Sequence, residues 1–353
     1  MMIPHSRPSI GREEMDAVSA VLRSGQVVQG AQVAAFEEAV AAHVGVQGGI
    51  ATSSGLAALH LSLLALDVGE GDEVVMPAFV CAALLNAVRY VRAAPVFADI
   101  QRQTYAMDCD DVKRRLTKKT KAIIVPHMFG LSADIREIVA LGVPVIEDCA
   151  QSLGSLYEGQ KTGSFGALSV FSFYATKVIC TGEGGMVAGN DKDLLLKIED
   201  LRDYDEKEDG RVHYNCKMTE MQAAMGIAQL KKLPSFLDRR RAIARRYSDA
   251  LAKYPVALPV CPDNRDHSYF RYLIRTRRAG ELIEAGLRGP VAYRRPVFKP
   301  LHHYQGNTAL PETDAAFREA VSIPLYPALS DDEVEFILRD LRIRGEDWLL
   351  IDR

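Results

Sequence analysis

Lys177 closes the segment Phe171-Ser172-Phe173-Tyr174-Ala175-Thr176-Lys177, and Thr181-Gly182-Glu183-Gly184-Gly185 follows it. An amine delivered by a turn from an apolar strand is a candidate nucleophile. Apolar surroundings disfavour the ammonium, which leaves a free amine near neutral pH to form a Schiff base with a carbonyl. Taken alone, a lysine after a strand is far more often a solvated loop residue, and only its context overturns that. Upstream, Val145-Ile146-Glu147-Asp148-Cys149-Ala150-Gln151 sets a carboxylate at the end of an apolar run and a carboxamide three residues later. Asp148 there suits pairing with a protonated ring nitrogen, and Gln151 suits donation to a ring oxygen, although a turn cap or a structural ion pair would use Asp148 equally well.

Thr52-Ser53-Ser54-Gly55-Leu56-Ala57 passes from a strand into a helix through small polar residues. Unpaired N–H groups and the positive dipole end make such a helix start a phosphate site, while the serines by themselves could simply be caps. Ser172, in the lysine's own segment, adds a hydroxyl suited to the same phosphate. Asn215 lies before a capped helix and by itself is a turn residue. His127, in Pro126-His127-Met128-Phe129-Gly130, stands at a strand end and reads as structural.

These residues need elements to hold them. Short apolar runs at Gly49–Thr52, Glu73–Met76, Pro95–Ala98, Lys121–Val125, Val143–Glu147, Leu168–Phe173 and Met186–Ala188 predict strands. Helical periodicity at Leu56–Leu66, Ala82–Val91 and Asp134–Leu141 falls between several of them. The alternation predicts an α/β fold with a mostly parallel seven-stranded sheet covered on both faces, with functional groups at strand ends. Gly11–Leu22 and Val33–Val44 read as scaffold helices at the amino end. Thr219 and Gln222 form a capping-box pattern that opens a helix running to Pro234, where a second helix carrying Arg239-Arg240-Arg241 begins, read as a solvated face. Tyr269–Arg275 reads as a strand and Asp332–Leu341 as a last helix. The expected division is a large domain, residues 1–234, and a smaller α+β domain, residues 235–353.

The totals exclude several classes. The chain of 353 residues carries 43 Lys and Arg against 46 Asp and Glu, so no net field favours nucleic acid or an anionic membrane. The six cysteines form no CxxC pair and no Cys/His cluster with metal-ligand spacing, so no metal is expected at the site. No run is long and apolar enough to span a bilayer, and Met1–Ile10 lacks a signal-peptide core, which leads to the expectation of a cytoplasmic protein.

In order, a phosphate-type helix start, EDxxQ, FSFxxxK and GEGG resemble the DegT/DnrJ/EryC1/StrS sugar aminotransferases, a branch of the fold type I pyridoxal phosphate (PLP) enzymes. Ser322-Ile323-Pro324-Leu325-Tyr326-Pro327 extends the likeness to nearly the whole chain. The resemblance implies Lys177 as the Schiff-base lysine and general base, and Asp148 as the partner of the pyridinium nitrogen. It places Gln151 on the phenolic oxygen. Ser172 and the backbone of Gly55, Leu56 and Ala57 would hold the phosphate, with Asn215 entering from the second subunit of a homodimer. Two positions depart from the family pattern: Leu56 replaces a threonine, and Cys81 stands where an aromatic residue stacks on the ring. Phe79 is the nearby ring that would compensate, but its position on the segment is expected to point it the other way. The implied reaction moves an amino group from an amino acid, by resemblance glutamate, to a keto-sugar carried on a nucleotide. A non-nucleotide ketone, such as an aminocyclitol or ulosonic-acid precursor, is the alternative acceptor. A non-catalytic binding or regulatory protein on the same fold is the alternative of another class. Relatives that act as dehydratases carry histidine in place of the lysine, and Lys177 argues against that outcome.

Overall fold

The computed structural model describes residues 2–305 and 308–351, with the side chains described through residue 344. Two helices open the chain, α1 (Arg12–Ser24) and α2 (Ala31–Val44). Seven strands then build one sheet: β1 (Gly48–Thr52), β2 (Glu73–Pro77), β3 (Ala94–Ala98), β4 (Thr120–Pro126), β5 (Val145–Asp148), β8 (Leu168–Ser172) and β9 (Gly185–Gly189). Their spatial order is β1-β9-β8-β5-β4-β2-β3. β9 runs antiparallel to both neighbours, and the remaining pairs are parallel. Each expected apolar run is a strand of this sheet, displaced by one or two residues at its ends. Helices α3 (Gly55–Ala65), α4 (Ala83–Tyr90), α5 (Cys109–Arg115) and α6 (Ile135–Val139) connect strands, and α7 (Lys192–Arg202) follows β9. Between β5 and β8 lies a small hairpin of β6 (Leu156–Tyr157) and β7 (Gln160–Lys161). The parallel strands are buried on both faces, which accounts for runs such as Ile123-Ile124-Val125 with no polar alternation.

The capping box forms: Thr219 Oγ1 accepts from Gln222 N at 3.4 Å, while Gln222 Oε1 takes the Thr219 N–H at 2.9 Å. The helix it opens, α8 (Glu220–Leu251), runs through Pro234 as one element of 32 residues rather than ending there. A proline in a helix costs a rung of hydrogen bonding. Here packing offsets the loss, since Leu233, Phe236 and Leu237 on either side of Pro234 are buried. The first part of α8 bonds α1 and α2, through Gln229 to Glu14 and Glu220 to the Val33 N–H, and its later part bonds α11 (Asp331–Ile351), through Arg246 to Asp331 and Glu335. We propose the division into residues 1–234 and 235–353 on that basis, with α8 shared between the two lobes.

The carboxy-terminal lobe pairs β11 (Tyr272–Arg275) with β12 (Ala320–Ile323), beside α9 (Ala279–Arg288) and α10 (Pro311–Glu319). A short β10 (Arg265–Asp266) pairs with β6 of the other lobe. The expected strand Tyr269–Arg275 begins only at Tyr272, because Tyr269 takes a positive φ of 47° that breaks extended geometry. Helix α6 is likewise shorter than its periodic stretch.

The run Arg239-Arg240-Arg241 corrects the expectation of a solvated face. Arg240 is buried, and its Nη1 donates to the carbonyls of Tyr269, Phe270 and Leu325 at 3.2, 3.2 and 3.1 Å. A guanidinium can serve several acceptors at once, which is why this position ties α8 to two segments of the second lobe.

Candidate active site

β5 and β8 are neighbours, so Asp148 and Ser172 finish at the same edge of the sheet. The chain leaves β8 through a tight turn closed by Lys177 N–H to Tyr174 O at 2.9 Å and returns to β9. Three backbone bonds hold the two arms together: Phe173 N to Gly184 O, Ala175 N to Gly182 O, and Thr181 N to Phe173 O. The glycines are required by this path. Gly184 has φ +152°, and a Cβ there would stand 2.6 Å from Thr181 Oγ1. At Gly185 a Cβ would stand 2.3 Å from Ser54 O, so the GEGG return packs directly on the start of α3.

That start is a ready anion cradle. Ser54 caps α3, its Oγ accepting the Ala57 N–H at 3.1 Å. The Gly55 and Leu56 N–H groups have no acceptor among the described residues. Ala57 therefore holds the cap, and the free donors are Gly55 and Leu56. Ser172 borders the same cradle, since a Cβ on Gly55 would meet its Oγ at 3.2 Å. The Leu56 side chain packs against the core, so this position offers backbone alone.

Lys177, Gln151 and Cys81 line one cavity of about 220 Å³ between the two lobes. The Lys177 Nζ lies 5.5 Å from the Phe270 ring centroid and has no hydrogen-bond acceptor among the described residues. Burial holds its pKa below the ordinary 10.5, with Cys81 and Asp148 opposing and Arg271 reinforcing the shift. Asp148 is buried, and burial raises its carboxyl above the usual range, opposed by the Ala150 N–H on Oδ1 at 3.0 Å and by Lys177 and His127. A buried carboxylate with no cation bonded to it among the described residues suits a group that supplies a positive charge. Gln151 spends its Oε1 on the Phe129 N–H at 3.0 Å, which leaves its NH₂ to donate into the cavity side. Cys81 is open to the cavity, whereas Phe79 is fully buried against Tyr105 and Phe129. Residues two apart would share a face of an extended strand, so it is the bend over residues 78–80, after β2 has ended, that turns the two apart.

His127 is structural. Its Nδ1 accepts the Ala133 N–H at 3.1 Å and its Nε2 lies 2.9 Å from Glu147, which also accepts from the N–H groups of Gly163, Phe165 and Gly166. Asn215 is exposed and stands apart from this cavity, on a segment whose next residue, Cys216, accepts the Ser53 N–H at 2.7 Å. Sequence reading passed over Arg271 and Lys299, two cations on the cavity wall, and the exposed Phe298 that lines the same cavity. No local pattern marks them, because residues 271 and 296–299 reach the site only through lobe packing.

Taken together, a phosphate cradle packed on the lysine's own segment, a buried carboxylate at the neighbouring strand end and a desolvated amine on the cavity wall fit pyridoxal phosphate. The chain is 36% identical to the GDP-perosamine synthase of Escherichia coli O157:H7, over 96% of this chain and 97% of that protein. Among solved structures, the aminotransferase TlmJ of Streptoalloteichus hindustanus superposes with a TM-score of 0.93 at 32% identity, over 99% of this chain and 100% of that one. The PLP form of the putative sugar aminotransferase Spr1654 of Streptococcus pneumoniae gives a TM-score of 0.92 at 27% identity, over 98% and 99% of the two chains. The DegT/DnrJ/EryC1/StrS aminotransferase family model matches residues 8–342, and the chain belongs to that family as an aminotransferase whose cofactor is pyridoxal phosphate.

Proposed function

We propose that this aminotransferase moves an amino group from glutamate to a nucleotide-linked keto-sugar and works as a homodimer with shared sites. The observation that carries the reading is the proximity of Lys177 and Asp148, an amine on the cavity wall and a buried carboxylate close enough to act on each other's charge. When bound, pyridoxal phosphate supplies a carbonyl carbon for amines and a ring that takes up the electron pair left when the donor loses its α-proton. Asp148 holds the proton on the ring nitrogen. Gln151, its Oε1 held by the Phe129 N–H, would donate its NH₂ to the ring's phenolic oxygen. Gly55, Leu56 and Ser172 orient the phosphate, and Asn215 completes that end from the second subunit.

Lys177 then serves as the base that moves a proton between the donor's α-carbon and the cofactor's C4′. A lowered pKa suits this, because the amine must be able to accept a proton near neutral pH. Gly184 and Gly185 keep the Lys177 turn against α3, so the amine and the phosphate cradle stay in fixed register. In the second half-reaction the same amine returns the proton while the keto-sugar is aminated.

Support for a nucleotide-linked acceptor comes from two sides. GDP-perosamine synthase and the UDP-N-acetyl-3-dehydro-α-D-glucosamine 3-aminotransferase of Acidithiobacillus ferrooxidans, 33% identical, bear such names. Arg271 and Lys299 also give the cavity wall a positive charge suited to a diphosphate.

The test is the absorption of the PLP-loaded protein before and after glutamate, followed by amination of GDP-, dTDP- and UDP-linked keto-sugars. Loss of the visible absorption on adding glutamate, absent in Lys177→Ala, is expected, with turnover on one nucleotide-linked acceptor. Turnover only on free aminocyclitol or ulosonic-acid ketones would replace the acceptor. An unchanged spectrum with glutamate would replace the donor.

A further inference from the structure

Outside the active site, three side chains converge at the junction of the segment Leu301–Tyr304 and α10. Asp314 Oδ1 lies 2.9 Å from His303 Nε2 and 3.2 Å from His302 Nε2, with the two rings 4.2 Å apart between centroids. We propose that His302, His303 and Asp314 form a site for a divalent transition-metal ion of the zinc class.

The ligand set is two imidazoles and a carboxylate, the combination that suits zinc and its neighbours. A tetrahedral ion with bonds of about 2.0–2.1 Å sets its ligand atoms about 3.3 Å apart. The His302 edge, at 3.2 Å, is close to that length, and the His303 edge, at 2.9 Å, opens to it by a small turn of an exposed side chain. All three ligand atoms lie within 4.8 Å of one another. His302 is buried, while His303 and Asp314 are about a third exposed, at 37% and 34%. The ion therefore has a path in from solvent, and water takes the fourth position.

Two other groups of potential ligands are filled already. Glu147, beside His127 and Cys149, accepts three backbone N–H groups as well as the imidazole. Asp200 and Asp209, beside His213, are neutralised by Lys207 and Arg211. No lysine or arginine pairs with Asp314 among the described residues. Its charge is available to a cation. His302 Nδ1 has no hydrogen-bond partner among the described residues. Ligand histidines are usually steadied through the second nitrogen, and the loss of such support weakens metal sites tenfold or more. The affinity is accordingly moderate.

Occupancy would act on the cleft. The segment before α10 places Phe298, Lys299 and Tyr304 on the active-site cavity, and Leu301 N–H bonds Ala78 O at 2.8 Å, three residues from Cys81. An ion at the His–Asp cluster ties that wall to α10 and stiffens it.

The test is calorimetric titration of ZnCl₂ into the chelator-dialysed holoenzyme in phosphate-free buffer, with hydrogen exchange followed across residues 296–305. One ion per chain is expected, with slower exchange in that segment. His303→Gln and Asp314→Asn should each weaken binding at least about tenfold. His213→Asn should leave it unchanged. The His303 side chain is exposed enough for His303→Gln to fold, so that variant decides if Asp314→Asn does not. No saturable binding by the wild type, or binding unaltered in His303→Gln, overturns the proposal. Neither readout depends on the substrate.

Discussion

A Cβ added to Gly55 would stand 2.9 Å from the Cβ of Ser172. The close approach brings the helix start of α3 against the end of β8 and puts one hydroxyl beside two free N–H groups. Gly55→Ala must push these apart. PLP should then dissociate about tenfold more readily, equivalent to roughly one lost hydrogen bond to a charged group. Equilibrium dialysis of cofactor against the variant reads this directly. An unchanged dissociation constant would mean that Ser172 does not share the phosphate.

Arg240 presents a different dependence. One nitrogen serves three carbonyls, and burial lowers the guanidinium to about 10. Arg240→Met keeps the aliphatic stem and removes every donor. Stability should fall by about 2–3 kcal/mol, since buried carbonyls lose their partner while the cost of burying the charge is recovered. Urea unfolding gives the number. A neutral or stabilising result would show that desolvation of the charge outweighs its bonds.

The difference between Gly55 and Arg240 explains what could be read in advance. The cradle, Asp148 with Gln151, and Lys177 each lie within a few residues of a strand end, so apolar runs and turn residues announced them. All seven strands followed for the same reason, being continuous apolar runs. Arg240 meets carbonyls 29, 30 and 85 residues away, and its neighbours Arg239 and Arg241 look the same in sequence. Arg271 enters the cavity only because the second lobe docks. Pro234 misled in the opposite direction, since its local cost was visible and the packing that offsets it was not. Helices α5, α7, α9 and α10 carry mixed, short or polar patterns that local periodicity did not separate from loops.

Lys177 should respond to Asp148. The carboxylate favours the ammonium, so Asp148→Asn lowers the lysine further from its ordinary 10.5. In cofactor-free protein, the pH profile for capture of PLP, trapped with borohydride and read by intact mass, should move to lower pH. Movement to higher pH would remove Asp148 as the neighbour that sets the amine.

His267 carries a pH dependence of stability. Burial lowers it to about 3, its Nδ1 accepts the Tyr269 N–H at 2.9 Å, and its ring stacks on Tyr269 at 4.0 Å. The folded state refuses a proton that the unfolded chain takes up below 6.5. Stability is thus lost as pH falls from 6.5 towards 3, by about 2 kcal/mol at pH 5 for this residue alone. His5, also lowered to about 3, adds to the same limb. In His267→Asn the drop in urea midpoint between pH 7.5 and pH 5 should be smaller than in the wild type. An equal drop would assign the acid limb to other groups.

Asn215 tests the shared site. It is exposed and stands apart from its own chain's Lys177 cavity. If it serves the second subunit, Lys177→Ala and Asn215→Ala homodimers are each inactive or weak, but a mixed dimer holds one intact site. The intact site has Lys177 from the Asn215→Ala chain and Asn215 from the Lys177→Ala chain. Random exchange of equal amounts makes half of the dimers mixed, so about a quarter of the sites recover. If Asn215 instead serves its own chain, both sites of a mixed dimer lack one residue and mixing restores nothing. Activity measured after the two variants are mixed and allowed to exchange separates these arrangements, and full activity in Asn215→Ala alone would remove the residue from the site.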